Sequence, residues 1–319
     1  MSEGVNPFSL PAMRRPLPHL AFAAVTIAIA PALLSAQQLQ GVKERVFSVS
    51  ERLGSGGTIR LYARVGDITI TEGTGETVDF RAEKDERRGR LEDVGFTVRR
   101  DGNDVTICAV YSDDDACDAD GFNGRSNRRW NWGRRESLRL TMTVRLPRGA
   151  RLRTTSGNGD ISVNANLAEA RVSSGNGRVR VSGVSGRVDA SSGNGEVSVD
   201  KAGGPVDARS GNGDVTIGTV NGPVNASSGN GDIRVSMDQL TGSEDMEFSS
   251  GNGRVEVVVP ADFSAEVEAN SGNGRITTDF PITSRGKLTP SRLRGTIGNG
   301  GRRLRMSTGN GSMEIRKRA

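Results

Sequence analysis

The sequence predicts an all-β fold, a right-handed parallel β-solenoid (β-helix) with coils of about 18–22 residues. The first of three observations is that the tetrapeptide Ser-Gly-Asn-Gly occurs seven times, beginning at Ser156, Ser174, Ser192, Ser210, Ser228, Ser250 and Ser271. The first five copies lie 18 residues apart. A fixed period of this length is typical of coils that bury their apolar side only against their neighbours.

The second observation is that apolar and polar residues alternate between the copies. The repeat that starts at Asn194 reads NGEVSVDKAGGPVDARSG. Its apolar positions are Val197, Val199, Ala202, Val206 and Ala208. Alternation with a period of two indicates two short strands per coil. The third observation is that no segment after the first 36 residues has the period of an amphipathic helix. Parallel strands joined by crossovers wind right-handed.

The Gly-Asn-Gly segment of each copy is predicted to be a structural corner. A sharp turn needs positive φ, which Gly adopts freely and Asn tolerates. Stacked amides can hydrogen-bond as a ladder, formed by Asn158, Asn176, Asn194, Asn212, Asn230, Asn252 and Asn273. A phosphate-binding loop is excluded because strands, and no helix, follow the glycines. A calcium β-roll is excluded because a core residue such as Val197 replaces the Asp ligand.

The residue after each corner is charged, with a sign that varies along the chain. The seven residues are Asp160, Arg178, Glu196, Asp214, Asp232, Arg254 and Arg275. The first three alternate in sign, which favours ion pairs between exposed neighbouring strands. Asp214 and Asp232 are the only two aspartates in consecutive coils, and a cation bound between them is the alternative to ion pairs there. We predict no metal site and no cofactor.

Two incomplete copies of the corner follow the last full one. Asn299 comes 26 residues after Asn273, and Asn310 comes 11 residues later, so these are not two ordinary coils. We expect Asn299 to lie off the ladder and Asn310 to lie near the line of Asn273. We also expect Asn310 to lie at a frayed end, where its replacement costs less stability than that of Asn194.

The first 36 residues are predicted to be a secretory signal peptide. Arg14 and Arg15 precede an apolar run from Leu20 to Leu34, and small residues end it at Ala36. The run is short for a membrane span. We therefore expect an exported protein of the periplasm, the outer cell surface or the extracellular space, with no transmembrane segment after cleavage.

The charge of the chain is unevenly distributed. Lys and Arg total 43 against 38 Asp and Glu, a net charge of +5. Residues 285–319 hold ten basic residues and one acid. A basic end favours contact with a cell-surface glycan or other polyanion, or with an envelope protein. The alternative is a charged cap that protects a strand edge. No specific nucleic-acid partner is expected.

An insertion at residues 108–135 combines cysteines, acids, Arg and Trp. Cys108 and Cys117 are the two cysteines of an exported chain, which predicts one disulfide. The acids around Gly121 do not match an EF-hand, because that register puts Ala116 at the first ligand position. The candidate ligand-binding residues are Arg128, Arg129, Trp130, Trp132, Arg134 and Arg135. Interleaved Arg and Trp suit stacking on sugars or binding of anionic groups. The alternative is that both tryptophans cover the solenoid.

The chain is predicted to contain one domain after the signal peptide. The segments are 1–36 for the signal peptide and 37–319 for a single β-solenoid domain, with irregular N-terminal coils at 42–150, regular repeats at 151–284, and basic C-terminal coils or a cap at 285–319. The expected strands of the first part are Val46–Val49, Thr58–Ala63, Asp67–Ile70, Val78–Ala82, Phe96–Val98, Val105–Val110 and Leu138–Leu146.

Four features carry a resemblance to a known family. They are an opening strand at Val46–Val49, a GDITI corner at Gly66–Ile70, a strand that ends in Leu146-Pro147, and the repeated S-G-N-G-[DRE]-[IV]-x-V. From roughly Val42 to Ala319 the sequence resembles the bacterial putative-adhesin β-strand-repeat proteins, a family of unassigned function. The resemblance implies a right-handed parallel β-solenoid in the cell envelope, with adhesion as the inferred role and no catalytic residues to transfer.

The expected function is that of a non-enzymatic cell-envelope or surface protein that presents an extended face to a glycan or polyanion. The one histidine, His19, lies in the signal peptide, so the remaining chain lacks Ser-His-Asp and Cys-His catalysis. Ser284 and Lys287 match the Ser-x-x-Lys spacing without a helix or partner motifs. The alternatives are a carbohydrate-active β-helix enzyme, a lyase or hydrolase that uses Asp, Arg or Lys, and a periplasmic scaffold in envelope-stress signalling.

Overall fold

Two β-sheets share one hydrophobic core in the computed structural model, which describes residues 39–111, 117–122, 138–284 and 289–318. Within these ranges the chain forms 27 strands and two short 3-10 helices, and no α-helix. Sheet A has 13 strands, sheet B has 12, and a separate hairpin has two. None of the described residues belongs to a helix long and apolar enough to cross a membrane.

The strands are numbered along the chain. The N-terminal strands are β1 (Val46–Arg52), β2 (Thr58–Val65), β3 (Asp67–Glu72), β4 (Thr77–Asp85), β5 (Gly95–Asp101), β6 (Asp104–Val110), β7 (Cys117–Asp118), β8 (Gly121–Phe122) and β9 (Arg139–Leu146). The two 3-10 helices, Glu86–Arg88 and Leu91–Asp93, lie between β4 and β5.

The remaining strands belong to the repeats and the C-terminal region. The repeat strands are β10 (Arg151–Asn158), β11 (Ile161–Leu167), β12 (Glu169–Asn176), β13 (Val179–Val184), β14 (Val188–Asn194), β15 (Val197–Ala202), β16 (Val206–Asn212), β17 (Val215–Val220), β18 (Val224–Asn230), β19 (Ile233–Met237), β20 (Met246–Asn252) and β21 (Val255–Val259). The C-terminal strands are β22 (Ala265–Asn273), β23 (Ile276–Thr278), β24 (Ile282–Ser284), β25 (Arg292–Ile297), β26 (Arg303–Asn310) and β27 (Met313–Lys317).

Each regular coil contributes one strand to each sheet. From β10 to β21 the even-numbered strands stack in parallel in sheet A and the odd-numbered strands in sheet B. Ala170 pairs with Val188 and Val188 with Val206, at the 18-residue offset of the repeats. One coil is longer, since Asn230 pairs with Asn252. The prediction of an all-β fold with two parallel strands per coil is confirmed.

The core of the repeats is built from the alternating apolar residues. The five positions predicted in the repeat from Asn194 are each at most 2% exposed: Val197, Val199, Ala202, Val206 and Ala208. Full burial of one Val side chain contributes about 1.5–3 kcal/mol. A coil can realise this only when another coil covers it, which explains why the repeats are stable as a stack.

The serine of each Ser-Gly-Asn-Gly copy is buried and ties its coil to a neighbouring one. Ser192 Oγ donates a hydrogen bond of 2.8 Å to the carbonyl oxygen of Gly177, and Ser210 does the same to Gly195. The equivalent residues share this role and are Ser156, Ser174, Ser228, Ser250, Ser271 and Thr308. These bonds satisfy buried hydroxyls, so every residue of the motif has a structural task.

Close contact between coils requires the glycines of the corner, and the second glycine of most corners also has the predicted positive φ. A Cβ atom at Gly193 would lie 2.5 Å from the carbonyl oxygen of Gly175, and one at Gly195 would lie 2.2 Å from that of Gly177. Gly195 has φ of 159°, whereas the Asn residues are not among the described residues with positive φ. Any side chain at these glycines would therefore push two coils apart.

The N-terminal region is only partly a parallel stack, which corrects the prediction of coils over 42–150. All seven strands expected between Val46 and Leu146 are present. However, β1 pairs antiparallel with β4, β4 with β9, and β5 with β6. Only β2, β3, β6 and β9 continue the parallel pairing. Antiparallel strands thus end both sheets on this side, because a hairpin can cover an edge without starting a new coil.

The last coil in the sequence does not lie last in the stack. In sheet A, β26 lies between β20 and β22, and in sheet B, β27 lies between β21 and β23. The placement of 285–319 at the end of the stack is therefore wrong for 303–317, and the antiparallel strands β24 and β25 end sheet A instead. Opposite charges support this position: Arg316 on β27 contacts Glu256 on β21 at 2.9 Å, and Arg305 is in register with Glu247 and Glu268.

A fully buried lysine holds the N-terminal end together. Lys84 on β4 is 0% exposed, and its Nζ donates to the carbonyl oxygens of Gly41, Val42, Leu91 and Val94 at 2.6–2.9 Å. Its Nζ also lies 5.7 Å from the centre of the Phe96 ring. One ammonium group thereby fixes the segment before β1 and the 3-10 helices after β4.

The charge of Lys84 is expected to make stability depend on pH. Burial lowers the pKa of Lys84 to about 8, whereas an unfolded lysine titrates near 10.5. Between these values the unfolded chain binds more protons, so the free energy of unfolding should rise with pH by at most about 1.4 kcal/mol per unit. Below about pH 8 the penalty for burying the charge is present in full.

Lys84→Met is the matched variant for testing this dependence of stability on pH. It removes the titrating group and leaves four carbonyls without a donor, which should lower stability by on the order of 3 kcal/mol. Denaturant unfolding of both proteins from about pH 7 to 10 gives the difference. If that difference stays constant with pH, the four carbonyls keep the ammonium charged and the lowered pKa is wrong.

Candidate functional surface

The corners place their Asn side chains in one continuous row. The row runs in the order Asn158, Asn176, Asn194, Asn212, Asn230, Asn252, Asn310 and Asn273, and each Nδ2 after that of Asn158 donates to the Oδ1 of the Asn before it at 2.7–2.8 Å. Asn310 thus lies inside the row, and the expectation of a frayed end there is wrong. Asn299 lies outside it, and its backbone N–H donates to Ser264 Oγ at 3.3 Å.

Five of the seven charged residues after the corners form ion pairs with other described residues: Asp160, Arg178, Glu196, Asp214 and Asp232. Arg178 contacts Asp160 at 2.8 Å. Arg234 contacts both Asp214, at 3.4 Å, and Asp232, at 2.6 Å, so a guanidinium occupies the place where a cation was the alternative. No group of three or more potential metal ligands occurs among the described residues.

The outward side chains of β10, β12, β14, β16 and β18 form a flat surface of sheet A, here named the polar face. Register places Thr155, Ser173, Ser191, Arg209 and Ser227 in one row across the strands. Ser191 Oγ donates to Ser173 Oγ at 3.0 Å. The row repeats hydroxyl groups at the strand spacing of about 4.8 Å.

A shallow depression of about 200 Å³ lies on the polar face. The residues that line it are Arg153, Thr154, Thr155, Arg171, Val172, Ser173, Asp189, Ala190, Ser191, Asp207 and Arg209, of which Thr154, Val172 and Ala190 have buried side chains. They come from four successive strands, and most of them can donate or accept hydrogen bonds. The depression is too small to enclose a ligand but can seat part of a longer one.

The charges in this depression are paired, with one exception. Arg171 contacts Glu169 at 3.1 Å and Asp189 at 3.4 Å, and Arg209 contacts Asp207 at 2.7 Å. Arg153 forms no ion pair within the part of the chain that the structure describes. Its guanidinium is therefore the group that remains available to an acidic ligand.

A strip without side chains runs beside the hydroxyl row. It consists of the first glycine of each corner, which faces the same way as the row and is exposed in most coils, including Gly175, Gly193, Gly211 and Gly229. Because the strip exposes bare backbone, it leaves a smooth track between the hydroxyl row and the Asn row. A flat or extended ligand can approach the sheet most closely there.

The predicted disulfide is present and fixes a hairpin on the outer side of sheet A. Cys108 on β6 is bonded to Cys117 on β7, which pairs antiparallel with β8. Tyr62 OH donates to the carbonyl of Ala119 at 2.9 Å, and Phe122 packs edge-on against the Tyr62 ring. Burial raises the pKa of Tyr62, which Arg153 and Arg60 partly oppose, so the phenol stays a neutral donor.

The six predicted ligand-binding residues lie outside the described part of the chain. They are Arg128, Arg129, Trp130, Trp132, Arg134 and Arg135. They follow Phe122 in the sequence, and the chain is described again from Leu138.

Sequence reasoning did not find the depression on the polar face. Its residues belong to four different repeats, and none of them forms a motif within a single repeat. The signal was present in the fixed 18-residue period, because that period puts residues 155, 173, 191 and 209 in one row.

The fold and the surface together define a protein of stacked parallel β-strands. Its repeated Ser-Gly-Asn-Gly motif has a structural role, and its outward residues differ from coil to coil. The chain belongs to the Toastrack DUF4097 family, whose model matches residues 58–316. No curated protein matches the chain.

Several solved structures are similar to the chain at low identity. A putative adhesin from Bacteroides fragilis NCTC 9343 is 14% identical, with 88% of this chain and 100% of that chain covered and a TM-score of 0.45. A putative lipid binding protein from Parabacteroides distasonis ATCC 8503 is 12% identical, with 86% and 98% covered and a TM-score of 0.44. A putative adhesin from the same strain is 12% identical, with 86% and 99% covered and a TM-score of 0.43.

The Asn row should stabilise the stack most where an amide both donates and accepts. Asn194→Ala removes two hydrogen bonds and leaves groups on Asn176 and Asn212 unpaired, at a cost of about 1–3 kcal/mol. Asn273→Ala, at the end of the row, removes one bond and should cost about half as much. Asn310→Ala should resemble Asn194→Ala. Urea unfolding compares the three, and equal, negligible losses would remove the row as a source of stability.

Proposed function

We propose that the protein is a non-enzymatic, exported cell-envelope or surface protein that binds an acidic glycan along the polar face of sheet A. The observation that carries this proposal is Arg153, a guanidinium without an ion pair among the described residues, beside a row of hydroxyl groups. A carboxylate or sulfate binds well to a planar guanidinium. Sugar hydroxyls match a row that both donates and accepts.

The repetition of the face favours a polymer over a small ligand. Equivalent hydroxyls recur in four of the five coils of the row, with Arg209 in the remaining one, and the glycine strip runs beside them over the regular repeats. A single contact of this kind contributes little, but linked contacts on one chain raise the overall affinity through effective concentration. An extended glycan fits this surface better than a compact molecule does.

The ion pairs of the carboxylates in the depression favour a binding function over a catalytic one. Glycoside hydrolysis needs two carboxyl groups placed to act as acid, base or nucleophile. Asp189 and Asp207 in the depression are both held in ion pairs with arginines. A carbohydrate-active lyase or hydrolase therefore finds less support in this surface than a binding protein.

Export, the handedness of the coils and the Arg/Trp segment complete the proposal. The signal peptide over residues 1–36 would export the chain, and the Cys108–Cys117 disulfide suits an oxidising compartment. Right-handed winding of the coils is supported by the crossover rule. The Arg and Trp residues between Arg128 and Arg135 are proposed as a second contact with the same glycan, supported by their place in the sequence after the hairpin at β7 and β8.

The polar face can be tested by blocking it. Ser191→Trp should fill the depression and weaken binding of polygalacturonate by about tenfold or more, which corresponds to about 1.4 kcal/mol. Ser198→Trp is the matched control, because Ser198 faces outward from sheet B in the same coil. Arg153→Ser should weaken binding and reduce its salt dependence, whereas Arg145→Ser on sheet B should not. Binding is measured by affinity electrophoresis in gels that contain polygalacturonate, and gels that contain neutral dextran serve as the control.

The Arg and Trp residues of the insertion at residues 108–135 are tested in the same assay. Replacing Arg128, Arg129, Arg134 and Arg135 by Ser should reduce the salt dependence of polygalacturonate binding. Trp130→Ala with Trp132→Ala should weaken binding at every salt concentration through lost stacking. If the Ser191→Trp and Ser198→Trp proteins bind equally while the loop variants fail, the site moves from the polar face to the loop. If wild type binds polygalacturonate and none of these variants loses binding, neither the polar face nor the loop is the site. If wild type does not bind it, the glycan proposal is wrong, and an envelope scaffold becomes the better hypothesis.

A further inference from the structure

The polar face continues beyond the regular repeats on the C-terminal side of sheet A. Register extends the hydroxyl row from Ser227 to Ser249, Ser307 and Asn270, and Ser307 Oγ donates to Ser249 Oγ at 3.0 Å. The glycine strip continues beside the row over the same strands. These outward side chains are half-buried or exposed. The row is therefore open to solvent from β10 to β22 in the order of sheet A, about 35 Å at about 4.8 Å per strand.

On the N-terminal side, the hydroxyl row and the glycine strip end at the same strand, β2. Tyr62 is in register with Thr155 and takes the next place in the hydroxyl row. It faces outward, yet it is only 5% exposed. The place next to Gly157 in the glycine strip is taken by Arg64, so a side chain replaces the bare backbone.

The hairpin Cys117–Phe122, here named the end wall, covers β2 at these two places. The ring centres of Phe122 and Tyr62 lie 6.5 Å apart, and the Arg64 guanidinium lies 5.4 Å from the centre of the Phe122 ring. Tyr62 OH donates to the backbone of the end wall. The disulfide from Cys108 joins the end wall to β6, the strand beyond β2. The polar face is thus closed at β2 and open at β22.

The guanidinium that remains available to an acidic ligand lies at the closed end. Register places Arg153 between Arg60 on β2 and Arg171 on β12. Arg60 contacts Asp104 at 2.7 Å and Arg171 also forms ion pairs, whereas Arg153 forms none with the described residues. A polymer that lies on the row and continues past Arg153 has to leave the sheet, because Tyr62 and the end wall occupy its path. A polymer that ends there keeps every contact.

We propose, on the basis of the glycan-binding function proposed above, that the polar face binds an acidic glycan by its chain end. The carboxylate of the terminal sugar contacts Arg153, and the following sugars lie along the hydroxyl row toward β22. An internal segment of the same glycan binds less well, because it has to bend away from the sheet at β10 and loses contacts on one side. The end wall is therefore the element that selects a chain end.

Calorimetric titration of the full chain with two fractions of polygalacturonate tests this selection. Both fractions contain chains several times longer than the polar face, and the chains of one fraction are twice the length of those of the other. Binding by chain ends predicts the same number of proteins per glycan chain in both fractions. Binding along internal segments predicts twice as many proteins on the longer chains, and this result with wild type overturns the proposal.

Release of the end wall should change this number. Cys108→Ser with Cys117→Ser detaches the end wall from β6, and the number of proteins per chain should then rise with chain length, because internal segments gain room. Phe122→Ala removes the ring that packs on Tyr62 and should act in the same direction. Tyr111→Phe is the matched control, because it removes a hydrogen bond from a tyrosine hydroxyl to the Val65 carbonyl within the core.

The variants also separate the chain-end proposal from the glycan-binding function. Thermal unfolding verifies that each variant is folded, and a folded cysteine double variant that keeps the wild-type number overturns the role of the end wall. If the number rises with chain length in wild type while Ser191→Trp still loses binding, the glycan-binding function stands and only the chain-end proposal fails. If wild type binds neither fraction, both proposals fail.

Discussion

The close approach of neighbouring coil backbones at the Gly-Asn-Gly corner is the constraint on which the rest of the structure depends. A Cβ atom at Gly195 would lie 2.2 Å from the carbonyl oxygen of Gly177, far inside van der Waals contact. Only glycine permits the strand spacing at this point. Once that spacing is set, the buried Ser192 hydroxyl reaches the same carbonyl, and Asn194 reaches the amide of Asn176. One steric requirement thus determines four consecutive residues.

This constraint separates architecture from function. The motif and the inward Val, Ile and Ala residues are fixed by contacts between coils, whereas the outward residues of each strand are free to vary. The outward positions at which the coils differ are therefore the ones that inform about function. On sheet A they leave Arg153 without an ion pair among the described residues, beside a hydroxyl row, and on sheet B Arg234 contacts two stacked aspartates. A binding function on such a scaffold is a property of a few outward side chains.

The two ends of the stack show how it is prevented from growing. Exposed parallel edges invite pairing with other chains. On one side antiparallel strands and the buried Lys84 end the sheets, and on the other β24 and β25 close sheet A. The C-terminal coil enters the interior of the stack, where Arg305 faces Glu247 and Glu268. Two of the basic residues that suggested a polyanion site in the sequence, Arg316 and Arg318, have acidic partners within the protein, Glu256 and Asp238.

The sequence by itself determined the repeating part of this protein. An 18-residue period with two alternating runs fixes two parallel strands per coil, the buried positions and the Asn row, because each residue meets its own equivalent in the next coil. It also indicated the disulfide from two cysteines. Tertiary structure alone decided the insertion of β26 and β27, the antiparallel N-terminal end, the carbonyl cage around Lys84 and the position of the end wall over β2. These depend on contacts between segments distant in sequence and without a shared period, so no local pattern encodes them.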